Sequence, residues 1–139
     1  MTIECFGLPG TGKTTMAREL SDLLGISIVR PDTFSERLLL NQRFLLIYPG
    51  TFFWLFFLVI HGGVSIKTRY EKFQNAFLGR NAAVLAARAL PIGIVVEGQL
   101  QNLFSFFERP LAREEMHRVI SRFIAPSLLL YFRDRKSVV

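Results

Sequence analysis

Two kinds of apolar pattern alternate along this chain. The short runs "TIECF" at 2–6, "ISIV" at 26–29, "IGIVVEG" at 92–98 and "SLLLYF" at 127–132 have the length and apolar density of strands in a buried sheet. Longer stretches with helical spacing lie between them. After Lys13 the apolar residues Met16, Leu20, Leu23 and Leu24 recur at i, i+4, i+7 and i+8, with Gly25 as a C-terminal cap. Thr33 followed by Glu36 makes a capping box that opens a helix running to about Ile47, ahead of Pro49. Lys67 to Leu90 reads as one long helix, with Tyr70, Phe73, Phe77, Val84 and Leu85 near one face and Pro91 closing it. Pro110 suits the first turn of a helix that carries Met116, Val119, Ile120 and Phe123 and ends at Pro126. The stretch 51–66 has no decisive period. Strands alternating with helices predict one α/β domain over 1–139, wound on both faces of a parallel sheet of about four strands.

Composition narrows the setting. Half of the 139 residues are apolar and a fifth are charged, as in a globular chain, although 14 Phe is a large share. The formal charge of +6 suits a protein that handles anions. The Phe residues cluster in apolar runs and do not interleave with Lys and Arg as a base-stacking groove requires, so nucleic acid is not expected as a partner. Cys5, the single cysteine, cannot form an intramolecular disulfide and suits strand packing in a reducing compartment. Glu4, Lys13 and Arg18 interrupt the N-terminus where a signal peptide would be apolar, which points to the cytoplasm. The apolar run 52–60 is nine residues, against roughly 20 for a membrane span. A buried helix or subunit contact is the main expectation there, and a membrane surface the lesser one.

The stretch "GLPGTGKT", Gly7 to Thr14, satisfies the phosphate-loop pattern G-x-x-x-x-G-K-S/T, with a strand directly before it and a helix directly after. Gly7, Gly10 and Gly12 let the backbone turn its N–H groups inward, and the helix start adds its positive dipole end. In that arrangement Lys13 reaches the β- and γ-phosphates of a nucleotide and the Thr14 hydroxyl ligates Mg²⁺, with Thr11 and Thr15 completing the loop's contacts.

With this motif in this context the chain resembles the P-loop NTPases that act as small-molecule kinases, the nucleoside and nucleotide kinase-like group. The likeness covers the topology of nearly the whole chain, but its specific motif is the eight-residue loop. It implies strand order 2-3-1-4, binding of ATP with Mg²⁺, and transfer of the γ-phosphoryl group to a small acceptor. In that group the strand beside the phosphate strand ends in an acidic residue, and here Glu97 in "VVEG" takes that place, as a metal ligand or general base. Many relatives carry Asp just before this Glu; Val96 stands here. A capping or loop role is the alternative for Glu97.

Asp32 and Arg30, after the second strand, fall where such kinases hold the acceptor: Asp32 for a hydroxyl, Arg30 for an anion. A plain turn explains Asp32 equally well. Gln99 and Gln101 could bond a substrate or be loop residues, and Arg69, Arg80 and Arg88 are solvated by default, with contact to a substrate phosphate the lesser alternative. His61 and His117 show no metal spacing. The resemblance also implies an arginine-bearing lid, a fifth strand and a last helix after the fourth strand. The seven residues from 133, with Arg133 and Arg135 where the lid would begin, hold none of these. A fragment or degenerate paralogue without the lid and last strand is therefore expected, self-associating through 52–60 or the exposed strand edge. The alternative to a kinase is a nucleotide-binding ATPase or regulatory module without a small-molecule acceptor.

Overall fold

A computed structural model describes residues 1–61, 65–107 and 111–132. Its centre is β1, Thr2–Gly7, a strand buried along nearly its whole length. β1 pairs in parallel with β3 (Gly93–Val95) on one side and β4 (Leu128–Phe132) on the other, and β3 pairs in parallel with the short β2 (Ser27–Ile28). The result is a four-stranded, all-parallel sheet in the order β2-β3-β1-β4, flanked by helices, as the sequence predicts. β3 is buried throughout, whereas β4 is an edge strand with Leu128, Leu129 and Tyr131 exposed. Arg133 and Arg135 lie outside the described residues, as does Pro110.

Helix α1, Lys13–Leu24, covers one face of the sheet and ends on Gly25 in the left-handed region. Its contact differs from the predicted stripe. Met16, Leu23 and Leu24 are exposed, and the helix instead lies on the sheet through Ala17, with Leu20 beside it, against Ile3, Cys5 and Ile94. A methyl side chain lets the backbone approach closely, and longer side chains are left at the flanks.

The opposite face carries the rest. α2, Phe34–Ile47, opens on the expected N-cap, Thr33, whose Oγ1 accepts from the Glu36 N–H at 3.2 Å, but the box closes one residue early: the Glu36 carboxylate accepts from the Asp32 N–H at 3.3 Å. The undecided stretch is a helix, α3, Pro49–His61, starting on a proline whose missing N–H costs nothing there. Leu55 and Val59 are its buried residues, while Phe53, Phe57 and Ile60 are exposed. Among the described residues no helix is long and apolar enough to cross a membrane. Many of the Phe residues gather here: Phe52, Phe56, Phe73 and Phe77 meet ring to ring, with centroids 4.9–6.5 Å apart.

The long predicted helix exists from α4, Ile66–Glu71, to α5, Arg80–Arg88, but its middle, Lys72–Gly79, is a π-helix. The wider turn shifts every later side chain around the axis. Phe77 therefore packs with Leu55 and Val59, and Val84 with Phe44 and Ile124; Tyr70, ahead of the π-helix, is exposed. After β3, a 3₁₀ turn (Gln99–Gln101) leads into α6, Asn102–Phe106. α7, Arg113–Ile120, stops six residues before Pro126, because Ser121 caps it and Phe123 turns back into the core. The proline is not what ends it.

Candidate active site

The glycine loop joins β1 to α1 at the C-terminal edge of the sheet. Gly7, Gly10 and Gly12 have φ of +154°, +80° and +81°, conformations that residues with a Cβ rarely adopt. At Gly7 space is also limiting: a Cβ there would stand 2.5 Å from the Phe132 carbonyl oxygen of β4. Gly12 caps α1 without a side-chain bond, and the first turn of α1 contains no acidic residue. The amides at the start of α1 thus face no competing carboxylate of their own turn, which leaves the helix's positive end to an anion.

Lys13 is buried, 6 % exposed, and its Nζ donates to the carbonyls of Gly7 and Leu8, both at 2.8 Å. Its ammonium lies within the glycine loop. The Thr11 hydroxyl donates to Leu8 O at 2.8 Å, Thr15 is exposed, and Thr14 is exposed on the wall of a cavity.

The same cavity is lined by Glu97, just after β3. Its carboxylate is half exposed and lies 3.5 Å from Nη2 of Arg80, whose side chain is only 11 % exposed. Nη1 of Arg80 donates to Asn102 Oδ1 and Ser105 Oγ, each at 2.7 Å. Burial lowers the Arg80 pKa, while Glu97 and Glu4 act in the opposite direction.

Glu4 was not singled out in the sequence, yet it organises this corner. It is 1 % exposed and projects from β1 to the face opposite Ile3 and Cys5. Oε1 accepts from the Leu100 N–H at 2.9 Å. Burial raises its pKa to about 7, with the Leu100 and Gln101 amides and the Arg80 charge pulling it down. Gly98 permits the contact, since a Cβ there would lie 2.4 Å from Cδ of Glu4. Gln101 Oε1 in turn accepts from the Gly7 N–H at 3.5 Å. One carboxylate thus binds the turn after Glu97 to the strand that launches the glycine loop. Next to it, burial and the Glu4 charge raise the Cys5 thiol above its usual range and keep it protonated and unreactive.

The cavity has a volume of about 450 Å³. Its wall includes Thr14 and Arg18 from one face of α1, Arg30 after β2, Arg37 of α2, Arg80 of α5, and Glu97. Arg30 borders the space. Asp32 is instead a turn residue: its N–H donates to the Glu36 carboxylate at 3.3 Å, and its carboxylate pairs with Arg30 at 3.7 Å with both side chains about four-fifths exposed. Gln99, expected on a substrate, lies inside the fold. Its Nε2 donates to Asn81 Oδ1 at 2.9 Å and its Oε1 accepts from the Ile124 N–H at 2.8 Å, so both amide ends are engaged. Asn81 donates onward to Asn41, which makes this a buried polar chain across α2, α5 and the loop before β4. Arg88 bonds Tyr48 Oη at 2.9 Å, outside the cavity.

Arg18 and Arg37 carry no site expectation in the sequence, because a lone arginine on a helix is ordinarily solvated. The signal that existed was the i, i+4 spacing of Thr14 and Arg18, which puts both on one face. For Glu4 it was a carboxylate inside a strand destined for burial on both faces. Among the described residues no three His, Cys, Asp or Glu side chains gather as a metal nest. The Thr14 hydroxyl and the Glu97 carboxylate border one space, and such a sparse oxygen set suits Mg²⁺, which is commonly completed by phosphate oxygens and water. No family model, curated protein or solved structure matches the chain.

Proposed function

We propose that the chain is an ATP-binding protein of the P-loop NTPase kind, and that it acts as a small-molecule kinase. The observation that carries this reading is the shared wall: Thr14, directly after Lys13 and the glycine loop, and Glu97 line one cavity. A nucleotide whose phosphates lie on the loop would have its terminal phosphate at the mouth of a space large enough for a second molecule. Crevices at the C-terminal ends of parallel strands are where such sheets hold ligands.

In this reading the backbone amides of the loop and the α1 N-terminus orient the phosphates, and Lys13 exchanges its two carbonyl acceptors for β- and γ-phosphate oxygens. Thr14 and Glu97 would hold Mg²⁺, which supplies neutralisation of the phosphate charge when bound. The acceptor hydroxyl attacks the γ-phosphorus, an O–P bond forms, the bond to the ADP oxygen breaks, and the hydroxyl proton passes to Glu97 or to solvent. Positioning and charge stabilisation carry the rate.

The test is phosphoryl transfer from labelled ATP, with Mg²⁺, to a pooled set of metabolites, run for the wild type and Glu97→Gln. The reading expects acceptor-dependent ADP formation that drops at least tenfold in the variant while ATP binding persists. ADP formation that ignores the acceptor set would favour a plain ATPase or regulatory module instead.

A further inference from the structure

Helix α3 has no polar face. Its 13 residues hold no Asp, Glu, Lys or Arg, and from Phe52 to Ile60 the sole side-chain hydrogen-bonding group is the Trp54 indole N–H. Leu55 and Val59 are buried with Phe77 in the core, which leaves the other side of the helix uncovered. There Phe53, Phe56, Phe57 and Ile60, spaced i, i+3, i+4 and i+7, form one exposed stripe, with Phe53 and Phe57 each more than half open. A helix that is apolar all round belongs in a core or in lipid, and the core covers this one on one side alone.

The flanking charges have one sign. Between Glu36 and Glu71 the sequence has no acidic residue, whereas Arg37, Arg43, Lys67 and Arg69 are basic. Arg43 is exposed on α2, three and four residues before the exposed Leu46 and Ile47 that lead into α3, so these three share a face. Lys67 is exposed at the start of α4, six residues after α3 ends, beside the exposed Ile66. Among the described residues neither Arg43 nor Lys67 has an ion-pair partner. A second copy fits this surface poorly: a symmetric contact sets the patch against itself and brings these cations together with no acidic residue of the stretch to answer them. A protein partner fits little better, since interfaces carry about one hydrogen bond per 100–200 Å² and the side chains of this stripe offer none. Acyl chains require none. We propose that the α3 stripe inserts into the surface of an anionic lipid bilayer, with Arg43 and Lys67 meeting the phosphates of its headgroups. α3 is about 20 Å long, too short to cross a bilayer, and lies along its surface. This contact does not depend on the nucleotide reading.

Trp54 is the chain's single tryptophan and lies on α3, so its fluorescence reports on this helix. The test is flotation of the full chain with phosphatidylcholine vesicles, with and without about 30 % phosphatidylglycerol, and with Trp54 emission read in the same samples. The expected result is at least tenfold stronger binding to the anionic vesicles, weakened by salt, with Trp54 emission shifted to shorter wavelength and quenched by brominated acyl chains. The double variant Phe53→Ser/Phe57→Ser changes exposed positions outside the cavity wall and should lose at least tenfold in binding. Arg43→Gln/Lys67→Gln should lose on the order of tenfold on anionic vesicles alone. Should the phenylalanine variant fail to fold by circular dichroism, lipid quenching of Trp54 in the wild type decides by itself. No binding to anionic vesicles, equal binding to both kinds, binding that leaves Trp54 neither shifted nor quenched, or binding unchanged in both variants would each overturn the proposal. A dimer in light scattering that Phe53→Ser/Phe57→Ser dissociates, with no vesicle binding by the wild type, would overturn it too and give the stripe to a second copy.

Discussion

The two faces of β1 are built on opposite rules. On one, Ile3 and Cys5 meet Ala17 and Ile94 in apolar contact, where fit alone decides stability. On the other, one residue along, Glu4 is equally buried but tied to backbone amides and the Arg80 charge. The first face anchors α1 and so fixes one end of the glycine loop. The second fixes the turn that carries Glu97. The strand thus sets the distance between the two halves of the site, and a buried carboxylate, which costs stability, holds the half that packing does not reach.

The largest effect that sharpens this contrast is in pH. The Glu4 pKa is about 7 folded against an ordinary 4.5, so between those values the folded state binds the proton more tightly. Its favourable contribution is fully present below the unfolded pKa and is lost as pH rises through 7, a difference of about 3 kcal/mol. Glu4→Gln abolishes that slope. Urea unfolding should show the variant gaining on the wild type by about 3 kcal/mol between about pH 4 and about pH 8, after a constant cost for an amide N–H without an acceptor. An offset that is the same at both ends would mean that Glu4 ionises like a surface group.

Next comes Gly98→Ala. Its Cβ would lie 2.4 Å from the Glu4 carboxyl carbon, so it should cost about 2 kcal/mol or more. In the Glu4→Ala background the same substitution should cost clearly less, because the obstructing group is gone. Additive costs in the double-mutant cycle would break the link between the strand and the Glu97 turn. On the apolar face, Ala17→Leu should cost about 1–3 kcal/mol by overpacking, with no pH dependence. A pH-dependent penalty there would erase the difference between the faces. The smallest effect is Asp32→Asn, expected within about 0.5 kcal/mol because its pairing with Arg30 is exposed.

What was legible in the sequence was what local chemistry dictates. The strands, the Thr33 cap and the glycine loop follow from period, cap and spacing, the strand order from the resemblance, and the structure agrees with each. What was not legible depends on tertiary contact. The apolar spacing of α1 pointed to Met16 and Leu23, but the sheet selected Ala17 because only a small side chain permits the approach. The π-helix at Lys72–Gly79 leaves no periodic mark, yet it brings Asn75, Gly79 and Arg80 to the cavity wall. Gln99 looked like an exposed donor and became an internal strut, since its bonds go to Asn81 and Ile124, 18 and 25 residues away. Arg37 and Glu4 acquire meaning only when the elements around them are assembled.

Nucleotide phosphate binding by the glycine loop through Lys13, as proposed, is tested by titration calorimetry of ATP·Mg²⁺ into the wild type and Lys13→Ala. Lys13 is buried among the loop's own carbonyls, so its loss removes a charge from the loop and should leave the sheet and its circular dichroism unchanged. The account predicts measurable wild-type binding that weakens on the order of 100-fold, about 3 kcal/mol, in the variant. Equal affinity in the two proteins, or no ATP binding by a folded wild type, would contradict it.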